Sequence, residues 1–328
     1  MKPFKLLRLP TLAQANVFQI MSNEERLDTA LTSKRMKRNI HAEPRLRENY
    51  QLSVCFRTHE ILVCGVRSYR AKPLLEGKKP SKTTMLDGEE VPFEDEQSPD
   101  DRHQGCIERV FYFDANMLNE GFRKMCLHFL QKLEITTVDE LSGMRDKVLE
   151  FRQTVERRGI AVKTIKLIDE EISSIHSEAI FSFPFLKDLI KFKCLATPPM
   201  AFRAQPFPES ISMKVLYLAP SEWFEINHLL TLKWCENIYL DRSLLTSKDI
   251  NDFMTAWKNG NFKNLASMTI ETTRRNKLDF VVVAHKLANR AFRRNNELYL
   301  EVKNQQGQEA QVWISEHQFR CKVTITIE

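Results

Sequence analysis

The sequence predicts an α/β protein: a short helical module at the N-terminus, then a degenerate strand-helix solenoid, closed by a small antiparallel sheet. Three observations predict it. Apolar residues in the first forty positions recur at helical spacing, five short apolar-x-apolar segments follow one another between Ile165 and Ile270, and three runs after Glu297 alternate with period two.

Composition frames these elements. The 328 residues allow one large domain or two. With 42% hydrophobic and 28% charged residues and a mean hydropathy of -0.38, the chain reads as soluble and globular. The formal charge is +6, from 49 basic and 43 acidic residues that alternate through most of the chain, so a dedicated nucleic-acid binder is disfavoured. Met1 to Leu12 lacks the uninterrupted apolar stretch of a signal peptide, and no run approaches the roughly 20 residues that span a bilayer. The expected location is cytoplasmic or nuclear.

Seven scattered cysteines in apolar surroundings read as reduced core thiols. No CxxC, zinc-finger spacing, HExxH or glycine-rich phosphate loop occurs, so neither a metal nor any other cofactor is expected. His176 with Glu178, and His285, stand without a nucleophile or a paired carboxylate at suitable spacing and read as structural residues. The chain is not expected to be an enzyme. Trp223, Trp234 and Trp257 read as core or interhelical packing.

Along the chain, residues 1–44 form the helical module and 45–328 a larger α/β domain. YQLSVCF and EILVCGVRSY predict a hairpin around RTHE. Residues 76–104 carry lysines and then an acidic cluster with few large apolar residues, and read as a disordered acidic loop. CIERVFYFD is a strand, and Phe122, Met125, Cys126, Phe129 and Leu130 mark one face of a helix from Ala115 to Leu133. A second helix is expected over Leu141 to Arg157.

Five segments then recur roughly every 20 to 30 residues, near the period of leucine-rich repeats: Ile165-Lys166-Leu167, Ile190-Lys191-Phe192, Leu216-Tyr217-Leu218, Ile238-Tyr239-Leu240 and Met268-Thr269-Ile270. Helices are expected between them at Glu170–Phe183, Ser221–Leu232 and Thr246–Gly260. Ser221 and Thr246 or Ser247 offer N-cap oxygens, and Gly260 offers a left-handed stop. A non-repeating α/β domain is the alternative. Phe280 to Phe292 reads as helical, and ELYLEVKN, AQVWIS and RCKVTITI as the closing sheet, with a turn at NQQGQ. Because side chains alternate across a strand, the central residues Lys166, Lys191, Tyr217, Tyr239 and Thr269 should share the face opposite the helices, a candidate substrate-binding column.

The first forty residues carry the other site. Leu9-Pro10 opens a helix, where proline lacks only an N–H that has no helical partner. Val17, Ile20 and Met21 share one helical face, and Leu27, Ala30 and Leu31 another, with capping-box spacing at Ser22 to Glu25. This segment, followed by Ser33-Lys34-Arg35, resembles an F-box. Thr11 stands where an acidic residue is common in that family, and Met36 where tryptophan often follows the basic pair. The remainder, most recognisably Phe224 to Glu271, resembles the F-box-associated domain of large nematode F-box families.

The resemblance implies a substrate receptor of a Skp-cullin-F-box ubiquitin ligase. Leu9, Pro10, Val17, Ile20, Met21, Leu27, Leu31 and Lys34 would dock on a Skp-family adaptor, while the C-terminal domain holds a target protein. An interaction scaffold not coupled to ubiquitination is the rival reading.

Overall fold

The computed structural model describes residues 10–21, 25–26, 29, 51–63, 67–78, 80–97, 107–168, 177–178, 180–186, 188–195, 197–198, 202, 205–207, 211–273, 277–287, 290–294, 297–317 and 320–328. The chain divides into two compact units, Met1–Val162 and Lys163–Glu328.

In the first unit, α1 (Thr11–Ile20) begins directly after Pro10, whose carbonyl accepts from the Gln14 N–H at 3.0 Å. β1 (Leu52–Cys55) and β2 (Glu60–Val63) form the expected hairpin, and β3 (Arg67–Pro73) runs antiparallel to β2. β4 (Lys82–Leu86) and β5 (Glu89–Gln97) form a further hairpin. The expectation of disorder over residues 76–104 is therefore corrected for the residues that build these strands. Asp87 and Gly88, at φ 49° and 90°, supply the two positive-φ positions of a tight hairpin turn.

Acidity does not unfold this hairpin because its carboxylates meet bases of their own unit. On β5, Glu94 lies 3.1 Å from Lys78, Asp95 2.8 Å from Arg109, and Glu96 2.7 Å from Lys72. The Tyr112 hydroxyl also donates to Glu96 at 2.6 Å. Lys72 first, and then this hydroxyl, hold the Glu96 carboxyl down at about 2.

β6 (Ile107–Phe113) lies between β3 and β5. It leads into α2 (Leu118–Lys132), β7 (Thr137–Val138), β8 (Glu140–Gly143), α3 (Arg145–Glu156) and β9 (Ala161–Val162). The helix expected from Leu141 thus starts four residues later, after a short strand. The main sheet of this unit runs β8-β1-β2-β3-β6-β5-β4, and β7 pairs with β9 separately. α2 buries the predicted Phe122, Met125, Cys126, Phe129 and Leu130. Rings join helices to strands, with Phe56 5.1 Å from Phe122 and 5.2 Å from Phe151, and Tyr69 4.4 Å from Phe129.

The second unit begins with β10 (Thr164–Leu167), followed by the single turn α4 (Phe183–Leu186), β11 (Lys191–Cys194) and β12 (Val215–Leu218). Next come α5 (Ile226–Thr231), β13 (Asn237–Ser243), α6 (Ser247–Lys258) and β14 (Ser267–Thr272). Then α7 (Phe280–Ala284) precedes β15 (Arg290–Arg294), β16 (Glu297–Lys303), β17 (Glu309–His317) and β18 (Arg320–Ile327).

Thr246 caps α6. Its Oγ1 accepts from the Asp249 N–H at 3.3 Å while Asp249 Oδ2 accepts from the Thr246 N–H at 2.7 Å, and Gly260, at φ 90°, follows the helix end. Ser221 is no cap: its buried hydroxyl donates to the Asp241 carbonyl at 2.8 Å, and Glu225 caps α5 instead. The α6 face buries Ile250, Phe253, Met254 and Trp257.

These elements correct the expected fold class. Among the described residues each unit is built around a mixed β-sheet, seven strands in the first and nine in the second, and helices are few. It is not a helical module followed by a leucine-rich-repeat-like solenoid. β10 to β14 are parallel, but the connections hold helices of unequal length, and residues 169–176, where half of one expected helix falls, lie outside the described residues.

Nor do the last strands close an end. β18 pairs antiparallel with β14, and β17, β16 and β15 continue outward, so the C-terminal hairpins widen the same sheet. The reason is that β14 as an edge would leave a row of unpaired N–H and C=O groups, and β18 satisfies them. The helix expected to reach Phe292 ends at Ala284, and Phe292 lies in β15.

The Glu96 shift has a definite sign. A carboxyl held near 2, against its usual 4.5, contributes stability present above about pH 4.5 and lost as pH falls through 2. Glu96→Gln should flatten the acid dependence of hydrogen-exchange protection in β5 and β6 across that window, whereas an unchanged profile shows that this cluster does not govern acid stability.

Candidate functional site

Of the residues expected to meet an adaptor, Leu9, Leu27, Leu31 and Lys34 lie outside the described residues. Pro10 is exposed at the start of α1. On that helix Phe18 and Gln14 turn inward and are buried, while Ile20 on another side is 84% exposed and Val17 and Met21 are half-buried.

In the second unit the open face is placed by the strand register. The apolar rows on one side are Ile165, Phe192, Leu216, Ile238 and Met268, then Leu167, Cys194, Leu218, Leu240 and Ile270. All ten are buried. The residue between them on each strand faces the other way, giving the row Lys166, Lys193, Tyr217, Tyr239 and Thr269.

Four of the five expected column residues thus align. Lys191 does not: it is exposed on the same face but pairs with Thr164 and Val215, one row away, and Lys193 takes its place. The cause is a two-residue ambiguity in Ile190-Lys191-Phe192-Lys193-Cys194, where either triplet satisfies the alternation. Ile190 lies before the strand and is 37% exposed.

The antiparallel strands extend the row. Thr269 pairs with Thr324, Thr324 with Trp313, Trp313 with Tyr299, and Tyr299 with Phe292. A single line therefore crosses nine strands, from two lysines through two tyrosines and two threonines to three aromatic rings. Trp313 is 49% and Phe292 56% exposed. A shallow cleft of about 360 Å3 lies beside Trp313, lined also by Tyr299, Thr324, Lys322 and Glu297.

The Tyr217 and Tyr239 rings stack face to face, with centroids 4.3 Å apart and planes 8° from parallel. Burial, and then the Glu271 carboxylate, keep the Tyr239 hydroxyl protonated well beyond its usual range, so it acts as a donor. Glu271 lies 3.4 Å from Lys322 and 3.8 Å from Arg320, which also lies 3.0 Å from Asp241. The centre of the face is charge-balanced, and its lines of ring and hydroxyl suit contact with another polypeptide.

Sequence reasoning missed Lys193, Thr324, Trp313, Tyr299 and Phe292. Period-two alternation does show Tyr299, Trp313 and Thr324 opposite the apolar residues of their strands. It does not show that β18 pairs with β14. Trp223 and Trp257 are buried as expected, but Trp234 is 54% exposed. Four of the five described cysteines are buried.

Comparison with known proteins meets this face. Residues 208–270 match the family model described as F-box associated. The match contains β12, β13 and the first four residues of β14, and hence Tyr217, Tyr239 and Thr269. The Skn-1 dependent zygotic transcript 15 protein of Caenorhabditis elegans is 24% identical over 127 residues, or 38% of this chain and 36% of that protein. The chain therefore spans about a third of the length of the curated relative it matches. No solved structure matches the chain at a significant level.

Stacked aromatic pairs contribute about 0.5 to 1.5 kcal/mol beyond the area they bury. A double-mutant cycle of Tyr217→Ala and Tyr239→Ala, read by urea unfolding, should return a coupling of that size. A coupling of zero shows that the rings do not hold each other in place.

Proposed function

We propose that this chain is a substrate-recognition subunit of a Skp-cullin-F-box ubiquitin ligase. Its N-terminal segment docks on a Skp-family adaptor, and the open sheet face of the second unit holds a target protein. In this reading the chain performs no catalysis, acts in the cytoplasm or nucleus, and leaves the chemistry to enzymes recruited by the complex. The observation that carries it is the row of stacked tyrosines and neighbouring polar groups lying within the segment similar to the F-box associated family. The exposure of Ile20 on α1, beside the half-buried Val17 and Met21, supports an apolar contact at the other end.

Two measurements on the full chain test the two ends separately. Leu9→Ala with Pro10→Ala should weaken capture of a purified Skp-family adaptor, since truncation at central interface positions costs about 1 to 4 kcal/mol. Unchanged capture by the folded double variant removes the adaptor assignment.

Tyr217→Ala with Tyr239→Ala should abolish target binding and leave adaptor capture intact. Retention of the target by that variant moves recognition off this face. Target binding by a protein that never captures the adaptor selects a scaffold uncoupled from ubiquitination.

A further inference from the structure

The two ends of the row differ in charge as well as in shape. Lys166 and Lys193 are direct neighbours across the β10–β11 pair, and Lys191 stands on the same face one row away. Among the described residues none of the three has an ion-pair partner. Like charges opposite each other on adjacent strands, roughly 5 Å apart, repel and weaken a sheet. Such a local cost, left uncompensated among the described residues, marks a place where something else supplies the counter-charge.

Elsewhere along the row the described cations stand beside or opposite acids. Arg320 and Lys322 lie against Asp241 and Glu271, and at the aromatic end Arg290 and Arg294 stand opposite Glu301 and Glu297 in the register. Among the described residues, neighbouring lysines with no acid opposite them in the register stand at the β10–β11 end. That asymmetry disfavours a nucleic acid, whose phosphates would run past the carboxylates as well. The acidic strand of this chain is also taken: Glu94, Asp95 and Glu96 of β5 are paired within the first unit.

We propose, building on the target-binding reading above, that the face binds an extended polypeptide segment with acidic residues at one end and an aromatic or large apolar residue at the other. The acidic end lies on Lys166, Lys191 and Lys193, and the apolar end enters the cleft beside Trp313 and Tyr299. Five strand spacings separate Lys193 from Trp313, or about 24 Å at roughly 4.8 Å per strand. An extended chain covers that distance in about seven residues. The stacked tyrosines and the threonines between the ends offer hydroxyls to the backbone of the spanning segment.

The test selects peptides from a random 16-residue display library on the full-length chain, then measures the enriched peptides by fluorescence anisotropy. Enriched peptides should carry two or more acidic residues about seven positions from an aromatic one. Their affinity should fall at least tenfold in a variant with Lys166→Glu, Lys191→Glu and Lys193→Glu, less steeply in the corresponding Lys→Gln variant, and at least tenfold in Trp313→Ala. Circular dichroism checks that each variant is folded.

Enriched peptides without an acidic bias, unchanged affinity in the lysine variants, no enrichment at all, or equal competition by a 20-nucleotide oligo(dT) overturns the inference. Neutral peptides that are lost in Tyr217→Ala with Tyr239→Ala sink this inference and leave the target-binding reading standing. Peptides indifferent to every one of these substitutions sink both, while adaptor capture remains a separate measurement.

Discussion

The second unit depends on one repeated hydrogen-bond arrangement at the entry of each parallel strand. The Lys163 carbonyl accepts from the N–H groups of Ile190 and Lys191, that of Ile190 from Lys214 and Val215, that of Lys214 from Glu236 and Asn237, and that of Glu236 from Ala266 and Ser267. Each strand is therefore locked to the previous one at the same step. Since side chains alternate with period two, a slip of one residue would carry the buried row to the open side, and a slip of two would break the line of lysine, tyrosine and threonine.

Apolar burial holds that register in place. Phe192, Leu216, Ile238 and Met268 are at most 2% exposed, and α6 lays Phe253, Met254 and Trp257, all fully buried, into the core of the same unit. At roughly 25 cal/mol per Å2 of buried apolar area, such residues dominate the stability of the unit. The opposite face is then free to carry side chains chosen for other reasons. The stacked tyrosines and the exposed Trp313 are ones the core does not need.

The two units treat charge in contrasting ways. In the first, Lys72, Lys78, Lys82 and Arg109 surround the acids of β5, and the cluster is internally satisfied. In the second, Lys166, Lys191 and Lys193 stand together without such partners among the described residues. The same residue type thus serves strand pairing in one place and presents unmatched charge in the other. What distinguishes the two is the identity of the neighbouring strand, which no local stretch of sequence records.

By itself the sequence determined what local physics controls. Helical periodicity marked the buried face of α2, Thr246 and Gly260 marked the ends of α6, and alternation placed Tyr217, Tyr239 and Thr269 on one side of their strands. The Asp87-Gly88 turn lies in a stretch whose acidic composition reads as disorder, because charge counts ignore which bases a fold brings near. Tertiary structure alone decided that β18 would cover the edge of β14, turning an expected cap into a wider mixed sheet and bringing Trp313 and Tyr299 into line with the tyrosines. It also decided between Lys191 and Lys193. Pairing between strands far apart in sequence is set by backbone hydrogen bonds, which are the same for every residue type, so alternation names the face of a side chain while only the assembled sheet names its neighbour.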